Sequence, residues 1–202
     1  MANPLPTDAA FSALELELGI SLDRSARESV CAYAALLAKW GRKFSLTTVK
    51  DPEELLRFHF FESFWAAQRF LGPRDRIADV GSGAGFPGAA IQLFQPWRKT
   101  TLIERNGKKA AFLKELCRRL SLDASVCCGP ASDYPHWERV DVAAFRALRP
   151  EPDFLEIARR RGLQLLVFGG REEPMPGPCW RRRDSALYPA SRNRRVTLWA
   201  PA

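Results

Sequence analysis

The sequence predicts an α/β protein: a Rossmann-like, mostly parallel sheet ending in an antiparallel hairpin, preceded by an N-terminal helical region. Three observations carry that prediction. An apolar strand, Ile77-Ala78 and Val80 around Asp79, runs straight into glycines at 81, 83 and 85, with Pro87 suited to a first helical position. Downstream of residue 76, β-rich runs alternate with helical stretches, the pattern of a parallel sheet with crossover helices. Upstream, the apolar residues recur with helical periodicity. These patterns divide the chain into residues 1–75, helical, and residues 76–202, the sheet-bearing domain that holds the ligand.

In the helical region, residues 8 to 18 read as a short helix with Phe11, Leu14, Leu16 and Leu18 apolar and Gly19 to stop it. Ser21 or Asp23 caps a longer second helix, in which Val30, Tyr33, Ala34, Leu37 and Trp40 form a core stripe. Asp51-Pro-Glu-Glu54 supplies a cap, a first-turn proline and acids at the positive end of a helix dipole. The third helix that starts there runs to about Phe70, carries His59, and is broken by Gly72-Pro73. His136, between Pro135 and Trp137, reads as loop.

Strands are expected near 76–80, 100–104, 124–128, 140–145 and 163–168, with helices near 87–95, 107–120 and 151–161. Pro174, Pro176, Gly177 and Pro178 leave no room for a full helix after the fifth strand. Segments 180–188 and 194–200 therefore close the sheet as a hairpin, with Val196, Leu198 and Ala200 inward. In such a sheet a ligand lies beyond the carboxyl ends of the strands, where Asp79, Glu104, Cys128-Gly129 and Phe145-Arg146 are expected to converge.

The glycine turn admits two ligands. Gly83-Ala-Gly85-Phe-Pro-Gly88 fits the dinucleotide pattern G-x-G-x-x-G. Asp79, two residues before the first glycine, would repel a pyrophosphate but suits the cationic amino-acid part of S-adenosylmethionine. Thr100-Thr-Leu-Ile-Glu104 ends a second strand in a carboxylate that can accept both ribose hydroxyls, which serves either ligand. No second mononucleotide half follows to hold a nicotinamide. S-adenosylmethionine is therefore favoured over NAD.

At 202 residues and 46% hydrophobic, the chain can bury a sizeable core, and it has neither a run of about eighteen apolar residues nor a signal-peptide start. A soluble, cytoplasmic protein without a membrane partner is expected. Five cysteines without C-x-x-C spacing suggest neither a disulfide framework nor a zinc site, so no metal is expected and the cysteines read as small buried hydrophobes. The formal charge of +8 is uneven, because residues 1–75 are net −1 and residues 76–202 net +9. Residues 159–202 hold ten arginines against three acids, with runs at Arg159-Arg160-Arg161 and Arg181-Arg182-Arg183 and a cluster at Arg192, Arg194 and Arg195. Arginine suits bidentate phosphate contact and base stacking, so RNA is the expected partner; a solvated basic surface is the other reading of the same charge.

Several short motifs occur in one order: Lys39-Trp40, Phe44-Ser-Leu-Thr47, Asp51-Pro-Glu-Glu54, His59-Phe-Phe-Glu62-Ser63, Asp79-Val-Gly-Ser-Gly-Ala-Gly-Phe-Pro-Gly88, Lys108-Lys109 with Phe112-Leu113, and Arg146-Ala147. Together they resemble the RsmG (GidB) family over about residues 20 to 150. The resemblance implies a class I S-adenosylmethionine-dependent methyltransferase that methylates N7 of a guanine in small-subunit (16S) ribosomal RNA. It implies naked RNA or the small ribosomal subunit as partner; a monomer is expected.

Carried onto these positions, the resemblance implies cofactor contacts from Asp79, Gly81, Ser82, Gly83, Gly85 and Phe86 in the first loop and from Glu104 on the second strand. It adds Ala131 and Ser132 after the third strand and Arg146 at the end of the fourth. Arg146 and His59 are the catalytic candidates. Arg146 would meet the guanine edge or its phosphate, or be a sheet-end arginine paired with an acid; His59 and Ser63 would shape the floor. The chain departs from the family pattern at Gly41, Ser45, Glu62, Pro130-Ala-Ser132-Asp133, Phe145 and Gly169-Gly170. A catalytically impaired RNA-binding relative of the same fold is the alternative those departures leave open.

Overall fold

The computed structural model describes residues 5–42, 45–49, 51–170 and 176–202. Phe44 of the family motif, and Pro174 before the hairpin, lie outside them. The N-terminal helices begin where their caps dictate. Thr7 Oγ1 accepts the Ala10 N–H at 3.2 Å to start α1, Asp8–Leu18, and Asp23, not Ser21, caps α2, Arg24–Gly41, through the Ala26 N–H at 2.7 Å. Asp51 Oδ1 takes the N–H groups of Glu53 and Glu54 at 2.9 and 2.8 Å, opening α3, Pro52–Leu55.

The third helix is not the uniform α-helix expected. After α3 it widens into a π-helical turn, Leu56–Phe61, before resuming as α4, Glu62–Phe70. The wider turn presents its carbonyls to side chains: His59 C=O accepts from Ser63 Oγ at 2.6 Å, and Phe58 C=O from Arg146 Nη1 at 2.7 Å. Residue spacing does not announce such a turn, because its donors come partly from distant strands.

Seven strands form one sheet in the order β3-β2-β1-β4-β5-β7-β6. They are β1 Ile77–Val80, β2 Thr100–Glu104, β3 Ala124–Cys128, β4 Val142–Arg146, β5 Gln164–Gly169, β6 Trp180–Leu187 and β7 Arg195–Pro201. The first five run parallel, and β7 enters antiparallel between β5 and β6. The crossovers are α5 Gly88–Phe94, α6 Gly107–Leu120 and α7 Pro152–Arg161. Asn106 Oδ1 caps α6 at 3.0 and 3.2 Å, and Gly162 ends α7 in the left-handed region.

Val196, Leu198 and Ala200 are buried as expected, but so are Thr197 and Trp199. β7 has a strand on either side and apolar layers on both faces: Val196 and Leu198 pack with Leu166 and Phe168, and Trp199 packs with Leu165 and Val167. The hairpin therefore does not alternate like a half-exposed edge.

One core joins the N-terminal helices to the sheet. Phe11, Val30, Tyr33, Phe60 and Phe64 share a buried cluster with Ala89, Phe112 and Leu113 from α5 and α6. Leu16, expected on the apolar face of α1, is 88% exposed. The cysteines depart from expectation as well: Cys117 is buried, whereas Cys128 and Cys179 are exposed. Among the described residues no helix is long and apolar enough to cross a membrane.

Strand register also separates the arginine clusters. Arg181 and Arg182 pair with Ala200 and Trp199, and Trp199 pairs with Leu165 near the start of β5. Arg195, by contrast, pairs with Gly169 at the end of β5. The Arg181–Arg183 run thus lies at the amino ends of the parallel strands, on the edge strand β6, while Arg194 and Arg195 lie level with their carboxyl ends.

Candidate cofactor and nucleotide site

A cleft of about 520 Å³ opens at the carboxyl ends of β1, β2 and β4, within the range of small-molecule sites. Its wall on the β1 side is the loop Gly81–Phe86. Tertiary packing explains why a loop glycine and the first residue of α5 carry no side chain. A Cβ on Gly85, whose φ is +91°, would lie 2.1 Å from the Tyr33 hydroxyl, and one on Gly88 would lie 2.5 Å from Asp79 Cβ. Tyr33, fully buried on α2, donates to Ala84 C=O at 2.7 Å, so the helical region holds the loop in place.

Asp79 is buried behind the loop and is not among the cleft-lining residues. Its Oδ2 accepts the Gly88 N–H at 2.9 Å, tying the strand to the first turn of α5. Its Oδ1 is buried without a hydrogen-bond partner. Burial raises the carboxyl to about 7, against the opposing pull of the Gly88 N–H and of Arg146.

Glu104, at the end of β2, does line the cleft. Its Oε2 accepts the Gly83 N–H and its Oε1 the Asn106 N–H, each at 2.8 Å. Two backbone donors thus fix the plane of the carboxylate. Each oxygen keeps a further lone pair, so the carboxylate can accept two more hydrogen bonds from a diol.

His59 and Arg146 form the floor. The imidazole stacks on Phe86 with ring centroids 4.7 Å apart. Arg146 Nη1 lies 3.4 Å from His59 Nδ1, and Thr47 Oγ1 lies 3.3 Å from His59 Nε2. A guanidinium only donates, so Nδ1 accepts and the ring proton sits on Nε2, directed at Thr47. Burial, then the charges of Arg146 and Arg194, push the ring down to about 3, so His59 is neutral at physiological pH. Arg146 is itself paired with an acid: Nη1 lies 2.7 Å from Glu62 Oε2, and the guanidinium stacks on Phe168. Its Nε and Nη2 are buried without hydrogen-bond partners. Ala147, the next residue, takes φ 53°, a strained conformation for a residue with a Cβ.

The cleft therefore brings together Gly81, Ser82, Gly83, Phe86, Glu104, Gly129, Ala131, Phe145, Arg146 and His59. Asp79, Gly85, Cys128 and Ser132 are not at its surface. Gly85 faces Tyr33, and Ser132 is exposed with its hydroxyl donating to Asp133 at 3.0 Å. Thr47, Lys109 and Leu148 also line the cleft, although sequence reasoning does not mark them as site residues. Thr47 and Lys109 stand inside the family motifs, which is the signal that could have found them; Leu148 carries none.

A sheet of this order with a glycine loop at its carboxyl edge is that of S-adenosylmethionine-dependent methyltransferases. The solved structure of such an enzyme from Aquifex aeolicus superposes with a TM-score of 0.58 at 18% identity, covering 75% of this chain and 94% of that one. Sequence narrows the class further. The chain belongs to the GidB family, whose model, described as rRNA small subunit methyltransferase G, matches residues 26–171. A ribosomal RNA small subunit methyltransferase G from Chromohalobacter salexigens is 34% identical over 191 residues, 95% of this chain and 86% of the relative. The protein of the same name from Roseiflexus castenholzii is 35% identical over 158 residues, 76% of this chain and 66% of the relative.

Proposed function

We propose that the chain transfers a methyl group from S-adenosylmethionine to N7 of a guanine in small-subunit (16S) ribosomal RNA. The observation that carries this reading is the Glu104 carboxylate, set by the Gly83 and Asn106 N–H groups at the mouth of a cleft in a chain of the GidB family.

The residues present fit the cofactor. Glu104 offers free lone pairs to a ribose diol, and Gly81, Ser82, Gly83 and Phe86 supply a wall on which the amino-acid part can lie. Ala131 borders the space for the adenine with an apolar surface. Asp79 acts behind the loop by holding it to α5. Bound there, S-adenosylmethionine supplies a methyl group activated by its sulfonium charge.

Guanine N7 carries an in-ring lone pair and no proton, so the chain need provide no general base. A neutral His59 and a guanidinium that cannot accept a proton meet that requirement. The chain's part is positioning: holding N7 in line at near-attack distance can contribute roughly 7–11 kcal/mol. His59, backed by Phe86, supplies a flat surface, and the Arg146 guanidinium in the cleft floor is a positive group beside which the guanine edge or its phosphate can lie. A target base inside folded RNA must be exposed or extruded to reach them.

The chain works as a monomer in the cytoplasm. In support of the location, ribosomal RNA in bacteria is cytoplasmic. Tritiated methyl transfer to 16S RNA and to small subunits from a strain lacking the modification is the test. Label recovered as 7-methylguanine is expected, and no transfer to either substrate would favour the non-catalytic RNA-binding reading.

A further inference from the structure

Behind the cleft, one carboxylate bridges two arginines from distant parts of the chain. Glu62, at the first position of α4, is 0% exposed. Its Oε2 lies 2.7 Å from Arg146 Nη1 and its Oε1 accepts from Arg194 Nε at 2.8 Å. Two guanidinium groups thus flank one buried carboxylate. Arg194 comes from the β6–β7 turn, and the two arginines grip the same π-helical turn. Arg146 donates to Phe58 C=O, while Arg194 lies over the Phe58 ring at 5.4 Å. The β6–β7 turn makes a second attachment through Tyr188, whose hydroxyl donates to Arg57 C=O at 2.8 Å.

Arg146 has only one engaged terminal nitrogen. Nη1 donates to Phe58 C=O and to His59 Nδ1 and lies in an ion pair 2.7 Å from Glu62 Oε2, so the guanidinium is held against Glu62, and Glu62 is held from the far side by Arg194. We propose that Arg194 is a positioning residue: acting through Glu62, it holds the Arg146 guanidinium in place in the floor of the cleft, where the target guanine nucleotide is held. This rests on the methyl-transfer reading above for its consequence, but the pairing itself can be read without it.

The experiment compares wild type with Arg194→Ala, Arg194→Lys, Arg146→Lys and the double variant Arg194→Ala/Arg146→Lys. In ¹⁵N-edited spectra of the arginine side chains, with the Arg146 signal identified by its loss in Arg146→Lys, slow guanidinium rotation is expected in wild type. It should be lost in Arg194→Ala and restored in part in Arg194→Lys. In methyl transfer, Arg194→Ala should lower kcat roughly 10- to 100-fold, with S-adenosylmethionine affinity unchanged. Added to Arg146→Lys it should cause little further loss, because the two act as one unit. An unchanged Arg146 signal in a folded Arg194→Ala protein overturns the proposal, as do multiplicative losses in the double variant. If wild type transfers no methyl group, the functional reading fails, and the side-chain spectra still decide whether Arg194 orders Arg146.

Discussion

Glu104 and Gly83 stand 21 residues apart in sequence and meet through a 2.8 Å hydrogen bond from the glycine N–H to the carboxylate. The bond joins the loop after β1 to the end of β2, so the residue proposed to bind the ribose also holds the loop that walls the cleft.

Replacing Glu104 by Ala should therefore do more than remove a diol acceptor. It frees the Gly83 and Asn106 N–H groups as well, and S-adenosylmethionine should bind more weakly by about 1–3 kcal/mol. Isothermal calorimetry checks this, and unchanged affinity would remove Glu104 from the site.

The loop is also braced from behind. Gly85→Ala should destabilise the fold by about 1–3 kcal/mol through its left-handed backbone alone, with the Tyr33 hydroxyl adding a clash at 2.1 Å. Tyr33→Phe by itself should lose about 0.5–1.5 kcal/mol with its hydrogen bond to Ala84. Combined with Gly85→Ala, it should recover part of the loss by removing the clashing oxygen. Urea unfolding of the two single variants and the double variant tests this; strictly additive losses would show that the helical region does not press on the loop.

His59 and Asp79 make opposite contributions to the pH dependence of stability. The His59 ring falls from its ordinary 6.5 to about 3, so between those values the unfolded chain binds a proton that the folded chain does not. Its contribution is full above about 6.5 and declines as the pH drops. Asp79 rises from 3.8 to about 7, so its contribution is full below 3.8 and declines as the pH rises toward 7. The two oppose each other over most of the acid range, so His59→Gln is the informative variant. Relative to wild type it should gain stability between about pH 7 and about pH 5, because it has no suppressed protonation. An equal difference at both values would mean that His59 is not held neutral.

The basic segment predicts a steep fall of RNA affinity with salt, and its division between two ends of the sheet makes that prediction local. Arg181 and Arg183 lie on the edge strand away from the cleft. Reversing both to Glu should lower the salt slope in filter binding by about one unit for each RNA phosphate that is no longer neutralised. S-adenosylmethionine affinity should stay unchanged. An unaltered slope would assign that edge to solvation.

The strands and most helices were legible because their signals are local. Alternating β-rich and helical runs, the caps at Asp23 and Asp51 and the glycines before Pro87 each act within a few residues. So does Glu104, whose place at a strand end follows from spacing and whose two backbone donors lie close to strand ends. The same is true of the family motifs. They marked the glycine loop, His59 and Arg146, and the cleft brings these together with Glu104.

What the amino-acid order determined by itself was the fold class, the glycine loop and the identity of the residues that line it. Only the tertiary structure decided what several of them face. Asp79 and Gly85 turned to internal partners on α5 and α2, β7 was buried on both faces by strands on either side, and the Glu62–Arg146–Arg194 network joined three distant segments. The physical reason is reach. Caps, turns and periodicity act over a few residues and leave a mark in sequence, whereas burial, close approach and charge pairing depend on which surfaces the folded chain brings together.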